Sequence, residues 1–226
     1  MLTILNDFNT RVNEIDGYFK LLDSIINKNA KLYFPDNKSH KYKNIDEDLI
    51  KVLKANSFLL LYNLIESSIK LSITEIYDSI SLRNKKYDEV TDQIRRIWIA
   101  ENYKNFKDKG TDFIFNTINN IMEDIIEIKF KPEKVISGNI DGRKISEFSN
   151  TFGFSSVTHY KAFNGVKLHQ VKTQRNNLAH GLISFAECGR QYTYDDLLMI
   201  KKQVIIYLRG ILMNIKIYID NEHFEK

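Results

Sequence analysis

Residues 47–80 contain neither glycine nor proline, and this stretch limits the possible folds more than any other. Its middle, FLLLYNLIE from Phe58 to Glu66, is apolar on nearly every side when wound at about 3.6 residues per turn. A helix of that kind has to be surrounded by others. Asp46 stands just before it, where a carboxylate can accept from the open N–H groups of a first turn. The rest of the chain is equally poor in breakers, with two prolines and nine glycines in 226 residues. The expected architecture is therefore all-α, a bundle of long antiparallel helices with shorter ones inserted.

The other elements follow from periodicity and turn chemistry. Leu2, Leu5, Phe8, Val12, Ile15, Phe19, Leu22 and Ile26 recur at spacings of three and four, which predicts a first helix over 2–30. Residues 31–45, KLYFPDNKSHKYKNI, read as a linker, with Pro35-Asp36-Asn37 as its turn. Four lysines and His40 make it basic, either as a solvated loop or as a contact for RNA phosphate. Helices are expected over 83–105, with Ile94, Ile97, Trp98 and Ile99 inward, and over 111–128. Arg95 and Arg96 beside Trp98 are either a solvated face next to core or a cation–π and stacking pair. Residues 129–138 read as a break between Pro132 and Gly138, with Val135-Ile136 extended. Asp141 should cap a short helix ending near Gly153, with Arg143 and Lys144 exposed. Asn164-Gly165 is a turn signal before a helix from about Val166. The stretch after Gly181, LISFAECGRQYTY, reads as a loop. Thr193-x-x-Asp196 resembles a capping box opening a last helix over about 194–220, and the tail NEHFEK is expected to fray. One domain over 1–226 is the expected organisation.

Composition excludes several classes. Hydrophobic residues make up 43% and charged residues 27%, ordinary values for a globular chain that buries a core without staples. The single Cys188 leaves no internal disulfide and points to a reducing compartment. There is no cysteine pair and no HExxH pattern, so no zinc site and no cofactor are expected. The longest apolar run, Phe58 to Tyr62, is far too short to span a membrane. The N-terminus is amphipathic and carries acids, unlike a signal peptide. A cytoplasmic protein without membrane contact is the expectation. A net charge of +4 permits nucleic-acid binding without requiring it.

Chemistry concentrates in VKTQRNNLAHG, Val171 to Gly181. Arg175, Asn176, Asn177 and His180 fall within six residues around two good helix formers, so they belong to the last turns of a helix that Gly181 terminates. Asn176 and His180, four apart, share a face. Arg175 and His180, five apart, diverge by about 140°. One helix therefore does not present both to a small substrate, but a curling arginine or a second copy across a symmetry axis would. Arginine offers a planar fork for phosphate, and histidine moves protons near neutrality. The alternative is structural: cations near a helix C-terminus suit its dipole. In the apolar helix, Asn63 and Glu66 are conspicuous polar residues. Glu66 either belongs to a structural network or faces Arg175 or His180 and orients it.

Arg175-Asn176-x-x-x-His180 resembles the Arg-Asn…His signature of the HEPN superfamily, small all-helical domains that are often metal-independent ribonucleases. ANSFLLLYNLIESSIK, Ala55 to Lys70, is similar to the central helix of the MAE-like branch, with its Tyr62-Asn63-x-x-Glu66 core. SGNIDGRKISEFSNTFGF, Ser137 to Phe154, is similar to that branch's Ser-Gly-Asn-hydrophobic-Asp segment. Together the matches cover roughly residues 10–220. The resemblance implies an RNA substrate and a homodimer whose signature helices meet across a two-fold axis. It implies His180 and Arg175 as the catalytic pair and Asn176 and Glu66 as their supports, with Asn177 and Asn63 toward the substrate. It also implies a toxin or phage-defence role with an antitoxin or regulatory partner. Some HEPN toxins carry a modifiable tyrosine two residues after the histidine; here that residue is Leu182.

Overall fold

A computed structural model describes residues 2–35, 41–122 and 138–226. They are predominantly helical: α1 (Leu2–Ile26), α2 (Glu47–Leu82), α3 (Asp92–Met122), α4 (Gly142–Phe152), α5 (Val166–Ala179), α6 (Phe185–Arg190) and α7 (Tyr194–Asp220). A two-stranded antiparallel hairpin, β1 (Lys31–Phe34) and β2 (Lys41–Asn44), lies between α1 and α2. The chain divides into two compact units, one of residues 2–67 and 158–208, the other of residues 68–157 and 209–226.

In the first unit, α1 buries Phe8, Val12, Ile15, Phe19 and Leu22, the stripe its periodicity predicts. Ile4 and Ile25 close that stripe at its ends in place of Leu5 and Ile26. α2 contributes Ala55, Phe58, Leu61, Tyr62 and Ile65, α5 Leu168, Val171 and Leu178, and α7 Leu197, Ile200, Val204 and Tyr207. The Asp46 carboxylate accepts from the Asp48 and Leu49 amides at 3.0 and 3.2 Å and caps α2. Thr193 and Asp196 form the expected box at the start of α7, with the Thr193 amide donating to Asp196 at 2.9 Å and the Asp196 amide to Thr193 at 3.1 Å.

In the second unit, Ile73, Ile76, Tyr77 and Ile80 pack with Ile94, Ile97 and Trp98, Ile145, Phe148 and Phe152, and Ile211, Leu212, Ile215 and Tyr218 as buried core. Asp141 is buried and caps α4 through the Lys144 amide at 3.1 Å, and α4 ends at the left-handed Gly153. Arg143 is exposed as expected; Lys144 is half-covered and paired with Glu147 at 2.8 Å.

Several expectations are corrected. The stretch 31–45 is not a plain linker, since its flanks pair in register with Tyr33 opposite Tyr42. All eight strand residues are exposed, so no apolar alternation announced them; stacking of the two tyrosine rings, centroids 5.3 Å apart, is a cross-strand contact of the kind that stabilises hairpins. Asp36, Asn37 and His40 lie outside the described residues. The helix expected over 83–105 starts only at Asp92 and runs on to a non-helical break at Gly110, φ 76° and ψ −172°, after which the second helix follows from 111 as expected, so that α3 is two helices joined at that kink. Residues 83–91 form turns. Ile99 faces outward, as do Ile114, Ile118 and Met122. Residues 123–137, with the expected Val135-Ile136 segment and Ser137, are outside the described residues. Trp98 is core, edge-on to Tyr87, and Arg95 donates to the Tyr87 and Asp88 carbonyls at 2.8 and 2.7 Å. The tail does not fray, because Phe224 is fully buried and the Lys226 amide donates to the Glu89 carbonyl at 3.0 Å. The stretch after Gly181 is not only a loop but contains α6, six residues held by a capping box between Ser184 and Glu187.

Candidate functional site

α5 carries Leu168, Val171, Arg175 and Leu178 at spacings of three and four. Three of these are buried apolar residues, so Arg175 belongs to the face that packs inward. What it meets is α2. The Arg175 guanidinium lies over the Tyr62 ring at 3.9 Å from the centroid, and its Nη2 donates to Glu66 Oε2 at 3.4 Å. Tyr62 and Glu66 are four apart and share a face of α2. Tyr62 is buried, while Glu66 and Arg175 keep 22% and 27% of their side chains exposed. The remaining edge of the fork is engaged too, as Nη1 donates to Asn176 Oδ1 at 2.8 Å. Arg175 is thus held flat on a ring, by a carboxylate on one side and a neighbouring amide on the other. That arrangement fixes a rotamer-rich cation in one pose and leaves part of it open to water.

His180 stands elsewhere. It is the C-cap of α5, exposed, with φ −92° and ψ 2°. Gly181 follows at φ 67°, and nothing lies within 4 Å of where its Cβ would be. The Leu182 amide donates to the Asn177 carbonyl at 2.9 Å and the Gly181 amide to Leu178 at 3.2 Å, the paired bonds of a Schellman ending. A residue other than glycine would pay for that left-handed turn. The helix therefore stops just where its histidine faces solvent, and Leu182 beside it is exposed. His169, Lys172 and Asn176 follow one another at spacings of three and four on the outward face, with His180 continuing the line.

The segment after Gly181 is locked back onto the unit. Hydrogen bonds from the Ser184 amide and hydroxyl region hold the Glu187 carboxyl below its usual pKa and complete the α6 cap. Gly189 passes so close to α2 that a Cβ there would sit 1.8 Å from the Lys51 carbonyl oxygen. Cys188 Sγ donates to Gln174 Oε1 at 3.7 Å, and Gln174 and Gln170 both donate to the Tyr192 hydroxyl, at 2.9 and 3.2 Å. Lys54 Nζ donates to the Tyr192 carbonyl at 2.6 Å. This polar seam fixes the third side of α5.

Of the residues singled out from sequence, Glu66, Arg175 and Asn176 come together. Asn177 is half-buried in the last turn, and its carbonyl serves the helix ending. Asn63 is exposed rather than buried, and it accepts from Arg11 Nη1 of α1 at 3.0 Å instead of turning to Arg175. Tyr62 belongs to the Tyr62-Asn63-x-x-Glu66 core without being read as a site residue, because an aromatic inside an apolar run reads as core; its spacing of four from Glu66 is the signal that places it under Arg175. Arg96 lines a separate cleft of about 1090 Å³ in the other unit, with Tyr77, Glu101, Lys144, Phe148 and Phe152. Among the described residues no group of three His, Cys, Asp or Glu is placed to hold a metal ion, and no helix is long and apolar enough to cross a membrane.

The model of the family described as MAE_28990-like HEPN matches residues 2–224 of the chain. No curated protein and no solved structure matches the chain.

Proposed function

The chain belongs to the MAE_28990-like HEPN family, and from that premise we propose that it is a metal-independent RNA endonuclease acting as a toxin or defence effector. The observation that carries the reading is the pose of Arg175, fixed on Tyr62 and Glu66 with its guanidinium still partly open, on the helix that ends in an exposed His180. A cation preorganised in this way stabilises charge developing on a phosphorane without having to reorganise. RNA supplies its own nucleophile. The 2′-oxygen attacks the adjacent phosphorus, the bond from phosphorus to the 5′-oxygen breaks, one proton leaves the 2′-hydroxyl and one reaches the departing 5′-oxygen. His180 serves one of these transfers. The products are a 2′,3′-cyclic phosphate and a 5′-hydroxyl end.

Arg175 and His180 point to different faces of α5, so a shared cleft in a homodimer completes the site. An isologous pairing of signature helices brings Arg175 of one copy toward His180 of the other and supplies two histidines for two proton transfers. A nuclease of this kind has to be restrained in its own cell, so the reading includes an antitoxin or regulatory partner. With Leu182 at the second position after His180, restraint by tyrosine modification there is not available.

The test is cleavage of a mixed RNA substrate by wild type and His180→Ala, with and without EDTA, followed by end-group analysis. His180→Ala should lose roughly 10²–10⁴-fold in rate while its unfolding free energy stays within about 0.5 kcal/mol, as expected of an exposed residue. Full cleavage by His180→Ala, or a requirement for Mg²⁺, overturns the mechanism. A monomer by light scattering at micromolar concentration overturns the shared site. One observation favours a second reading, a non-catalytic module that binds RNA or a partner: all of the Arg175 fork found engaged is engaged within its own unit. Binding of RNA without cleavage by any preparation would select that reading.

A further inference from the structure

Residues 158–186 carry four cations, Lys161, Lys167, Lys172 and Arg175, and no aspartate or glutamate. At the head of this segment a 3-10 turn, Tyr160–Gly165, leads directly into α5. Two aromatic rings of that turn face water, Tyr160 at 75% and Phe163 at 61% exposure. Their exposure is not the looseness of a surface loop. Ala162 between them is fully buried, and Gly165 behind them packs so tightly that a Cβ would lie 2.9 Å from the Tyr207 ring. Phe163 and Asn164 are both left-handed, at φ 46° and 51°. Asparagine tolerates that region, whereas a bulky phenylalanine is strained there because its Cβ crowds the backbone. The backbone is thus anchored at Ala162 and Gly165 and strained at Phe163, one of the two residues whose rings face water. Strain of this sort persists where a site needs it.

An imidazole and a lysine lie beside the Tyr160 ring. The His159 ring lies 4.4 Å from that of Tyr160, tilted by 32°, and Lys161 Nζ is 5.9 Å from the centroid of the same ring. Lys167 follows within the first turn of α5. Aromatic faces framed by cations bind unpaired bases, which stack on the rings while their phosphates meet the lysines; bases inside a duplex have no open face to offer.

We propose that Tyr160 and Phe163 form a base-stacking platform for single-stranded RNA at the N-terminal end of the signature helix, an inference that rests on the ribonuclease reading for its substrate. α5 has 14 residues, so the platform and His180 stand about 20 Å apart along the helix. That distance is several nucleotides of extended strand. The platform therefore binds bases remote from the cleaved bond and selects substrates by length and single-strandedness.

The experiment uses the full chain in a His180→Ala background, with a fluorescein-labelled 12-nucleotide RNA of mixed sequence, single-stranded or annealed to its complement. Anisotropy should show that Tyr160→Ala with Phe163→Ala weakens single-strand binding tenfold or more, while duplex binding and the salt dependence of the residual affinity are unchanged. Tyr160→Trp should keep the affinity. In the otherwise wild-type chain the double variant should raise KM for the 12-mer with little change in kcat, and leave cleavage of a dinucleotide as it was. Unchanged single-strand affinity, or an equal loss for duplex, overturns the platform. A change of oligomeric state on light scattering also overturns it, by making the rings a contact between copies. If His180→Ala still cleaves RNA, the active-site reading falls, whereas the binding comparison still decides the platform.

Discussion

The guanidinium of Arg175 lies 3.9 Å over the ring of Tyr62, and this stack ties the signature helix α5 to the central helix α2. Glu66 meets the edge of the same guanidinium from the next turn of α2 at 3.4 Å. One face of α2 thus supplies both the plane and the charge that orient the arginine.

The two supports can be separated by substitution. Arg175→Lys keeps the positive charge but loses the planar fork and the stack. It should lower RNA cleavage by at least 10²-fold, close to the effect of Arg175→Ala. Glu66→Gln keeps the shape and removes the charge, so the arginine should lose orientation while the fold is barely affected, within about 1 kcal/mol for a partly exposed pair. Cleavage rates and urea titrations on the three variants check this. Wild-type rates in Arg175→Lys would show that the geometry around Tyr62 is irrelevant to activity.

Cys188 is fully buried, and burial pushes its thiol up to about 11. The neutral thiol is therefore favoured in the folded chain. Its contribution to stability is fully present below the ordinary thiol pKa of about 8.5 and is lost as pH rises from there through 11. At pH 8.5 the native protein should resist iodoacetamide, and the urea-unfolded chain should be alkylated readily. Mass spectrometry of the labelled protein measures both. Rapid labelling of the native form would mean that the α6 region opens.

Phe224 is the test of the ordered tail. It is fully buried, with the Arg83 guanidinium 5.3 Å over its ring, and the Thr91 amide donates to its carbonyl at 2.9 Å. Phe224→Ala should cost about 3–5 kcal/mol, the usual range for a buried phenylalanine. Chemical denaturation would reveal it, and an unchanged midpoint would return the tail to a frayed end.

Legibility followed burial. The stripe Phe8, Val12, Ile15, Phe19 and Leu22 was readable because one face of α1 is covered and the other is not, which is what writes a period into a sequence. Asp46, Asp141 and Thr193 with Asp196 were readable because capping depends on local residue type. The hairpin left no trace, since strands exposed on both faces need no alternation. Glu66 stood out as a carboxylate in an apolar run, and its partner across the unit was on the short list. Tyr62 did not stand out, because stacking under a cation and packing in a core ask for the same ring. Asn63 looked equivalent to Glu66, yet it lies one residue, about 100° of helix rotation, from Tyr62, and it meets Arg11 instead of Arg175. α6 was written in Ser184-x-x-Glu187, a box overlooked because six residues bury too little to show a period.

The backbone contact of α6 supplies the last prediction. Gly189 is buried, and a Cβ at that position would stand 1.8 Å from the Lys51 carbonyl oxygen and 2.6 Å from its carbon. Both atoms are backbone, so no side-chain rotation relieves the clash, and α6 or α2 has to shift. Overpacking of this kind costs typically about 1–3 kcal/mol, and Gly189→Ala should be destabilised by at least that range in urea. The shift should also loosen the seam of Cys188, Gln174 and Tyr192, which holds α5 in register beneath Arg175. Gly189→Ala should therefore combine lower stability with faster alkylation of Cys188 at pH 8.5. Gly181→Ala serves as the comparison, because nothing lies within 4 Å of its Cβ and its cost is confined to a left-handed backbone, φ 67°. It should lose about 1–2 kcal/mol without exposing Cys188. If both variants label alike, the close approach of α6 to α2 is not what shields the thiol.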